Sequence, residues 1–168
     1  MKAFPQIHSI YIAARAGELM VPLTRAKIIA GEGIAGDRYA LGLGAFSKTK
    51  LKIRHISLIT LSGIESANGQ LRAKQQTPFG EGDTRRNLVI SGISEGELNG
   101  LVGKIFYLGG IAFKGTELCE PCQRPANLLK KPDFIHAFEN RGGLRAEALD
   151  SGTISNGDSL TYLSNQEK

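Results

Sequence analysis

Apolar positions in this chain recur mostly with a period of two, in short runs divided by glycine, which is the signature of strands. His8 to Arg15 (HSIYIAAR), Thr24 to Ala30 (TRAKIIA), His55 to Thr60 (HISLIT) and Asn87 to Ser91 (NLVIS) read this way. Lys104 to Leu108 and Ile111 to Thr116 flank Gly109-Gly110, a two-residue hairpin signal. Leu144 to Leu149 and Ser159 to Leu163 read as closing strands, joined through Gly152 and Asn156-Gly157. Helical signals are fewer. Ser62-Gly63-Ile64-Glu65 matches a capping box with Ser62 accepting from the first-turn amides, so a helix is expected from about Gly63 to Lys74, weakened by Asn68-Gly69. Ser94-Glu95-Gly96-Glu97 starts a single helical turn. Pro132 is placed to open a second helix, which runs to about Asn140 and is stopped by Gly142-Gly143. Thr77 to Asp83 and the glycine-rich stretch Gly31 to Gly44 read as loops. Roughly eight strands and two helices without βαβ alternation predict a mainly β fold, a closed or nearly closed barrel with short helical insertions.

A length of 168 residues suits a single domain over 1–168 with its core at about 8–163, and is enough to bury a core without disulfide or metal. The charge of 21 − 16 = +5 favours anionic partners: phosphate-bearing small molecules, nucleic acid or acidic proteins. Lys48, Lys50, Lys52 and Arg54 form a basic patch without interleaved aromatics, which ranks nucleic acid last among these. The start Met1-Lys2-Ala3-Phe4-Pro5 lacks a signal pattern and no apolar run approaches a membrane span, so a cytoplasmic protein with no membrane partner is expected.

Gly31-Glu32-Gly33-Ile34-Ala35-Gly36 imitates a dinucleotide fingerprint. That motif needs a helix to start inside it, and Gly42 and Gly44 deny one, while the position for a ribose-binding acid falls among lysines and Arg54. Asp37-Arg38 within the glycine loop instead suits an arginine positioned by its neighbour, beside backbone that can approach a ligand. Thr84-Arg85-Arg86-Asn87 lies where a loop enters a strand, so the two arginines are expected to point to opposite faces, one of them toward a pocket. The planar guanidinium fork suits phosphate. Tyr39 and Phe46 read as loop anchors with a stacking role open to them, and His136, between Phe134 and Phe138, as an ordinary helix residue.

Cys119 and Cys122 form a C-x-x-C within Leu118-Cys119-Glu120-Pro121-Cys122. A structural zinc would need a second pair of ligands, and His8, His55 and His136 are scattered. Three readings stay open: a redox dithiol, two inert buried thiols, or one thiolate activated by Lys114, Arg124 and nearby arginines as nucleophile, metal ligand or persulfide carrier.

Seven segments in order resemble the MOSC domain family. They are Gly33 to Tyr39 (GIAGDRY), Ile56 to Ile59 (ISLI), Arg85 to Gly92 (RRNLVISG), Leu101 to Gly103 (LVG), Glu117 to Cys122 (ELCEPC), Arg141 to Ala146 (RGGLRA), and Gly152 to Asp158 (GTISNGD). The resemblance spans nearly the whole chain and is to the small stand-alone bacterial type. It implies the MOSC β-barrel known from the C-terminal part of molybdenum-cofactor sulfurases and from amidoxime-reducing molybdoenzymes. By that resemblance a molybdenum–pterin cofactor is expected, with Asp37, Arg38, Arg85, Arg86 and Asn87 binding it. Cys122 is implied as the sulfur carrier or molybdenum ligand, with Cys119 auxiliary. A sulfur-donor or electron-donor protein is implied as partner, and molybdenum-dependent reduction of N-hydroxylated compounds as one possible activity. The chain has no aminotransferase-like part, hence no pyridoxal-phosphate site, and desulfurase chemistry is not expected of it alone. The competing functions are a cofactor-free dithiol or sulfur-trafficking protein using Cys119 and Cys122, and a module that binds anionic ligands.

Overall fold

A computed structural model describes residues 3–48, 52–121, 123–130 and 133–164. Its strands are β1 (Gln6–Ile12), β2 (Val21–Leu23), β3 (Arg25–Ile29), β4 (Gly33–Ile34), β5 (Ile56–Thr60), β6 (Leu88–Ser91), β7 (Ile105–Leu108), β8 (Ile111–Leu118), β9 (Leu144–Ala148), β10 (Gly152–Ser155) and β11 (Leu160–Tyr162). The helices are α1 (Leu61–Ala73), α2 (Glu95–Asn99), α3 (Gln123–Leu129) and α4 (Phe134–Ala137), with a 3-10 turn at Glu81–Thr84. Among the described residues no helix is long and apolar enough to cross a membrane.

Eight strands form one curled sheet in the order β11-β7-β8-β9-β5-β6-β1-β2, and β10-β3-β4 form a small second sheet. The barrel is nearly closed, as the strand pattern predicts: the curled sheet meets itself along a short seam. At the seam Gln6 bridges Ser159, the Ile7 amide donates to the Asp158 carbonyl at 2.9 Å, and the Leu160 amide donates to Pro5 at 2.9 Å. The seam stays short because β2 pairs with β1 from Ile10 onward. Pairing is antiparallel except for β5 with β6, which run parallel because α1 lies between them in the chain.

The curled sheet buries apolar residues on both faces. Leu58 and Leu88 pack inside with Ile10, Ile28, Phe106 and Phe113, whereas their neighbours Ile59 and Val89 pack outward against Ile64, Phe79, Phe134 and Phe138. This two-sided burial makes β5 and β6 near-continuous apolar runs. Outside the sheet, Phe79 stands edge-on to Phe134 with centroids 5.4 Å apart.

The helix starts differ from the sequence expectation in one place. Thr60, not Ser62, caps α1 and accepts from the Gly63 amide at 2.9 Å. The helix begins at Leu61, so Ser62 is already inside it and its hydroxyl donates to Glu95 Oε1 at 3.0 Å. The expected turn at Ser94 is α2, and it opens on a capping box: Ser94 Oγ accepts from the Glu97 amide, and Glu97 Oε2 accepts from the Ser94 amide. Pro132, the expected helix opener, lies outside the described residues, and the following helix is the single turn of α4. Ala126 and Leu129 of α3 join the apolar residues packed outside the sheet.

Candidate functional site

The imitation of a dinucleotide fingerprint forms a strand turn with no helix. Gly33 sits in β4 at φ +120°, and a Cβ there would come within 2.2 Å of the His55 carbonyl, so no other residue fits. The chain then brings Asp37 into the interior, fully buried. Its Oδ1 accepts from the Ala13 amide at 3.2 Å and from Arg38 Nη1 at 3.1 Å, while Oδ2 accepts from the Tyr39 amide at 3.2 Å. Arg38 is itself only 6% exposed; its Nη2 donates to the Arg85 carbonyl at 3.2 Å, and its guanidinium lies 5.0 Å from the Tyr39 ring centroid. A buried charge is tolerated when paired and hydrogen-bonded, and this one is.

Arg85 and Arg86 depart from the alternation expected of a strand. Arg85 closes the 3-10 turn in the left-handed conformation at φ 62°, ahead of β6, and both side chains line the same cavity. Arg85 Nη1 donates to the Glu18 carbonyl at 2.6 Å. Arg86 is anchored by Nε to the Gly142 carbonyl at 2.8 Å and by Nη1 to the Thr84 carbonyl at 3.1 Å. Asn87 is almost fully buried and ties three strands together: its Oδ1 accepts from the Ser57 amide at 3.1 Å and its Nδ2 donates to the Tyr11 carbonyl at 3.1 Å.

Arg38, Arg85, Arg86 and Asn87 thus meet at one cavity of about 80 Å³. Two further arginines, which sequence reasoning did not single out as site residues, complete it: Arg54 and Arg145. Arg54 precedes β5, and its guanidinium lies 5.0 Å from the Phe46 ring centroid with Nε and Nη1 buried and lacking any hydrogen-bond partner. Its only sequence signal was membership of the basic patch. Arg145 alternates with buried Leu144 and Ala146 on β9, the pattern of a strand that sends every second side chain across the sheet.

Cys119 lines the same cavity and is 4% exposed. Its amide donates to the Gly143 carbonyl at 2.8 Å, and a Cβ at Gly142 would stand 2.1 Å from the Cys119 carbonyl. The Gly142-Gly143 pair, expected as a helix stop, is therefore also the floor on which the cysteine segment rests. Cys122 lies outside the described residues.

Beneath Cys119, Glu117 Oε1 accepts from Arg145 Nη1 at 2.6 Å and Glu117 Oε2 pairs with Lys52 Nζ at 3.0 Å. Burial works against ionising Glu117, but the hydrogen bonds and charges of Lys52 and Arg145 outweigh it and bring its pKa below the usual carboxylate value. Burial likewise opposes the Arg145 charge, and Cys119, Glu117 and Tyr39 outweigh it, raising its pKa further. Across Tyr39, Phe46 and Arg54 lies a second cleft of about 450 Å³. Among the described residues no three His, Cys, Asp or Glu side chains gather closely enough to hold a metal ion unaided.

Chemically, the inner cavity gathers guanidinium groups around a thiol, an arrangement able to attract an anion. Preset, partly buried guanidinium groups attract a phosphate-sized anion more strongly than fully exposed ones would. The outer parts of the fold carry none of this chemistry; His136 is exposed on α4, far from the cavity lining.

No functionally curated protein matches the chain. Among solved structures it is similar to the YUAD protein from Bacillus subtilis, at 19% identity and a TM-score of 0.74, covering 94% of each chain. It is also similar to YiiM from Geobacillus stearothermophilus, at 15% identity and a TM-score of 0.67, covering 97% of this chain and 77% of the other. YiiM from Escherichia coli gives 17% identity and a TM-score of 0.65, covering 97% of this chain and 72% of the other. These identities carry the fold and nothing finer. Residues 48–161 match the family model described as MOSC domain, and with most of its length inside that match this chain belongs to the MOSC domain family.

Proposed function

We propose that this protein binds a molybdenum–pterin cofactor, or carries sulfur for one, at the arginine-lined cavity. What supports this is the convergence of Arg38, Arg85, Arg86 and Arg145 with Cys119 on one pocket. The donor set fits the group. Its enclosed volume of about 80 Å³ suits the cofactor's phosphate end, and Arg54 contributes buried N–H groups that no protein atom accepts from. Arg38, Arg85 and Arg86 would hold the anionic end, with Asp37 keeping Arg38 in place and Asn87 holding the strands on which they stand. Cys122 would carry the persulfide or ligate molybdenum, three residues beyond the cysteine that reaches the cavity wall, with Cys119 auxiliary. A thiolate is a soft ligand suited to such a metal. The bound group would supply two-electron oxygen-atom or sulfur chemistry, and a donor protein would deliver the electrons or sulfur.

The experiment is purification from a host that makes the cofactor, followed by molybdenum analysis, pterin fluorescence after oxidation, and intact mass. Stoichiometric molybdenum and pterin, or one added sulfur that disappears in Cys122→Ser, supports the reading. Pterin content that falls in Arg86→Gln while Cys119→Ser retains it assigns the roles. Finding no molybdenum, no pterin and no added sulfur overturns it. A reversible Cys119–Cys122 disulfide with total loss of function in Cys119→Ser would favour the dithiol alternative.

A further inference from the structure

The outer cleft, which that reading leaves unused, has its own ligand character. Its volume of about 450 Å³ falls in the range of small-molecule sites. Tyr39 and Phe46 form the wall it shares with the inner cavity. Leu41 and Ile53 face it while remaining 52% and 39% exposed, so apolar surface converges on a concave space instead of being scattered.

The charge of the cleft is asymmetric. Lys52, 3.0 Å from Glu117, shares that carboxylate with Arg145, and exposed Glu32 also lines the cleft, so its lining carries two cations and one carboxylate. Arg54 has no acid paired with it among the described residues, and its Nε and Nη1 are shut away from water. A cation without a counter-ion, kept in a low-dielectric wall between two compartments, attracts an anion in either. His55 adds a single donor. Its Nδ1 accepts from the Ala148 amide at 3.1 Å, which leaves the proton on Nε2. Burial lowers its pKa, so the ring is neutral at pH 7 and adds no second positive charge.

We propose that the outer cleft is a second ligand subsite that takes a small aromatic monoanion, its ring against Phe46 and Ile53 and its negative charge facing Arg54. The lining's excess of one cation, Lys52 and Arg54 against Glu32, matches one negative charge, which separates this subsite from the multiply charged inner cavity. Because Arg54 lines both compartments, the inference requires that its charge still reach the cleft when an anion occupies the inner cavity.

Titration of the purified chain with 2-naphthoate, followed by fluorescence and by calorimetry, tests it. The titration is made with and without saturating inorganic phosphate as the probe of the inner cavity. Saturable binding is expected, weakened about tenfold or more in Arg54→Gln and in Ile53→Glu, and changed less than about twofold in Arg86→Gln. Ile53 is exposed, so Ile53→Glu folds, and matched circular dichroism and melting curves confirm that for each variant. Phosphate binding is expected to show the reverse pattern: reduced by Arg86→Gln and untouched by Ile53→Glu. Absence of saturable naphthoate binding, or binding that Arg54→Gln or Ile53→Glu leaves unchanged, overturns the proposal. Naphthoate that is displaced by phosphate and lost in Arg86→Gln also overturns it, because the acid then occupies the inner cavity. Loss of molybdenum–pterin loading with naphthoate binding intact would instead count against the function proposed above.

Discussion

Arg38 and Arg54 stand at the same cavity and serve it in opposite ways. Arg38 is oriented by the protein: Nη1 donates to Asp37 and, at 3.5 Å, meets the Met20 sulfur, Nη2 donates to the Arg85 carbonyl, and the Tyr39 ring covers the group. Arg54 is covered by Phe46 in the same manner, yet two of its buried nitrogens meet no acceptor. The first arginine meets the cavity in an orientation that the fold fixes; the second brings buried N–H groups that the fold leaves without acceptors. A residue type at a pocket therefore does not define a role. Its acceptors do.

The comparison breaks most visibly at Asp37. In Asp37→Ala the Arg38 cation stays buried without its counter-ion, and the Ala13 and Tyr39 amides lose their acceptor. Removing one partner of a buried pair costs roughly 3–5 kcal/mol. Equilibrium urea unfolding measures it, and a loss under about 1 kcal/mol would show that Arg38 is as little bound by its framework as Arg54. A smaller loss is expected at Asn87. Asn87→Ala frees the Ser57 amide and the Tyr11 carbonyl inside the sheet, at about 1–3 kcal/mol for stranded buried polar groups. Because Asn87 acts through the strands, cofactor content per folded molecule should change little.

The fold was legible where one period persisted. The runs at His55 to Thr60 and Asn87 to Ser91 gave β5 and β6 nearly to the residue, and Gly109-Gly110 gave the hairpin of β7 and β8. Short elements that depend on partners distant in sequence were not legible. The two residues of β4 are a strand only because Ile28 and Ile29 lie beside them, and Thr60 outcompetes Ser62 as cap because sheet pairing ends there. At the site, Asp37 and Arg38 could be paired from adjacency alone. The joint inward turn of Arg85 and Arg86 could not, since it needs the left-handed backbone at Arg85 that the 3-10 turn imposes. Arg145 stayed hidden for a similar reason: its cavity is visible only once β9 is set between β5 and β8.

Acid should separate the two kinds of charge further. Burial lowers the His55 pKa from 6.5, with Glu147 opposing, so the unfolded chain takes up the proton more readily. Stability contributed this way is complete above about pH 6.5 and declines as pH falls through the folded-state value, where protonation also ends acceptance from the Ala148 amide. Glu117 has the same sign at lower pH: burial would raise its pKa, but Lys52 and Arg145 bring it below 4.5, so its contribution is present above that value and is lost beneath it. Urea midpoints from pH 8 to pH 3 should therefore fall in two steps. His55→Gln should remove the upper step and Glu117→Gln the lower. Each is worth less than Asn87, the lower at most about 1 kcal/mol because its ion pairs are partly exposed. A single step that survives both variants would place the acid sensitivity elsewhere.

The smallest change in stability is expected at Arg54, and it sharpens the contrast with Asp37 most directly. Arg54→Met keeps a long apolar stem against Phe46 and deletes N–H groups that make no hydrogen bond. Removing a buried polar group that has no partner also removes its desolvation cost. The variant should unfold at the same urea concentration as the parent or at a slightly higher one, while binding of 2-naphthoate is lost. That pairing, stability kept and affinity lost, is what separates a charge held for a ligand from a charge held by the fold. If Arg54→Met instead cost as much as Asp37→Ala, the guanidinium would be anchored by the fold as Arg38 is, and not held free for a ligand.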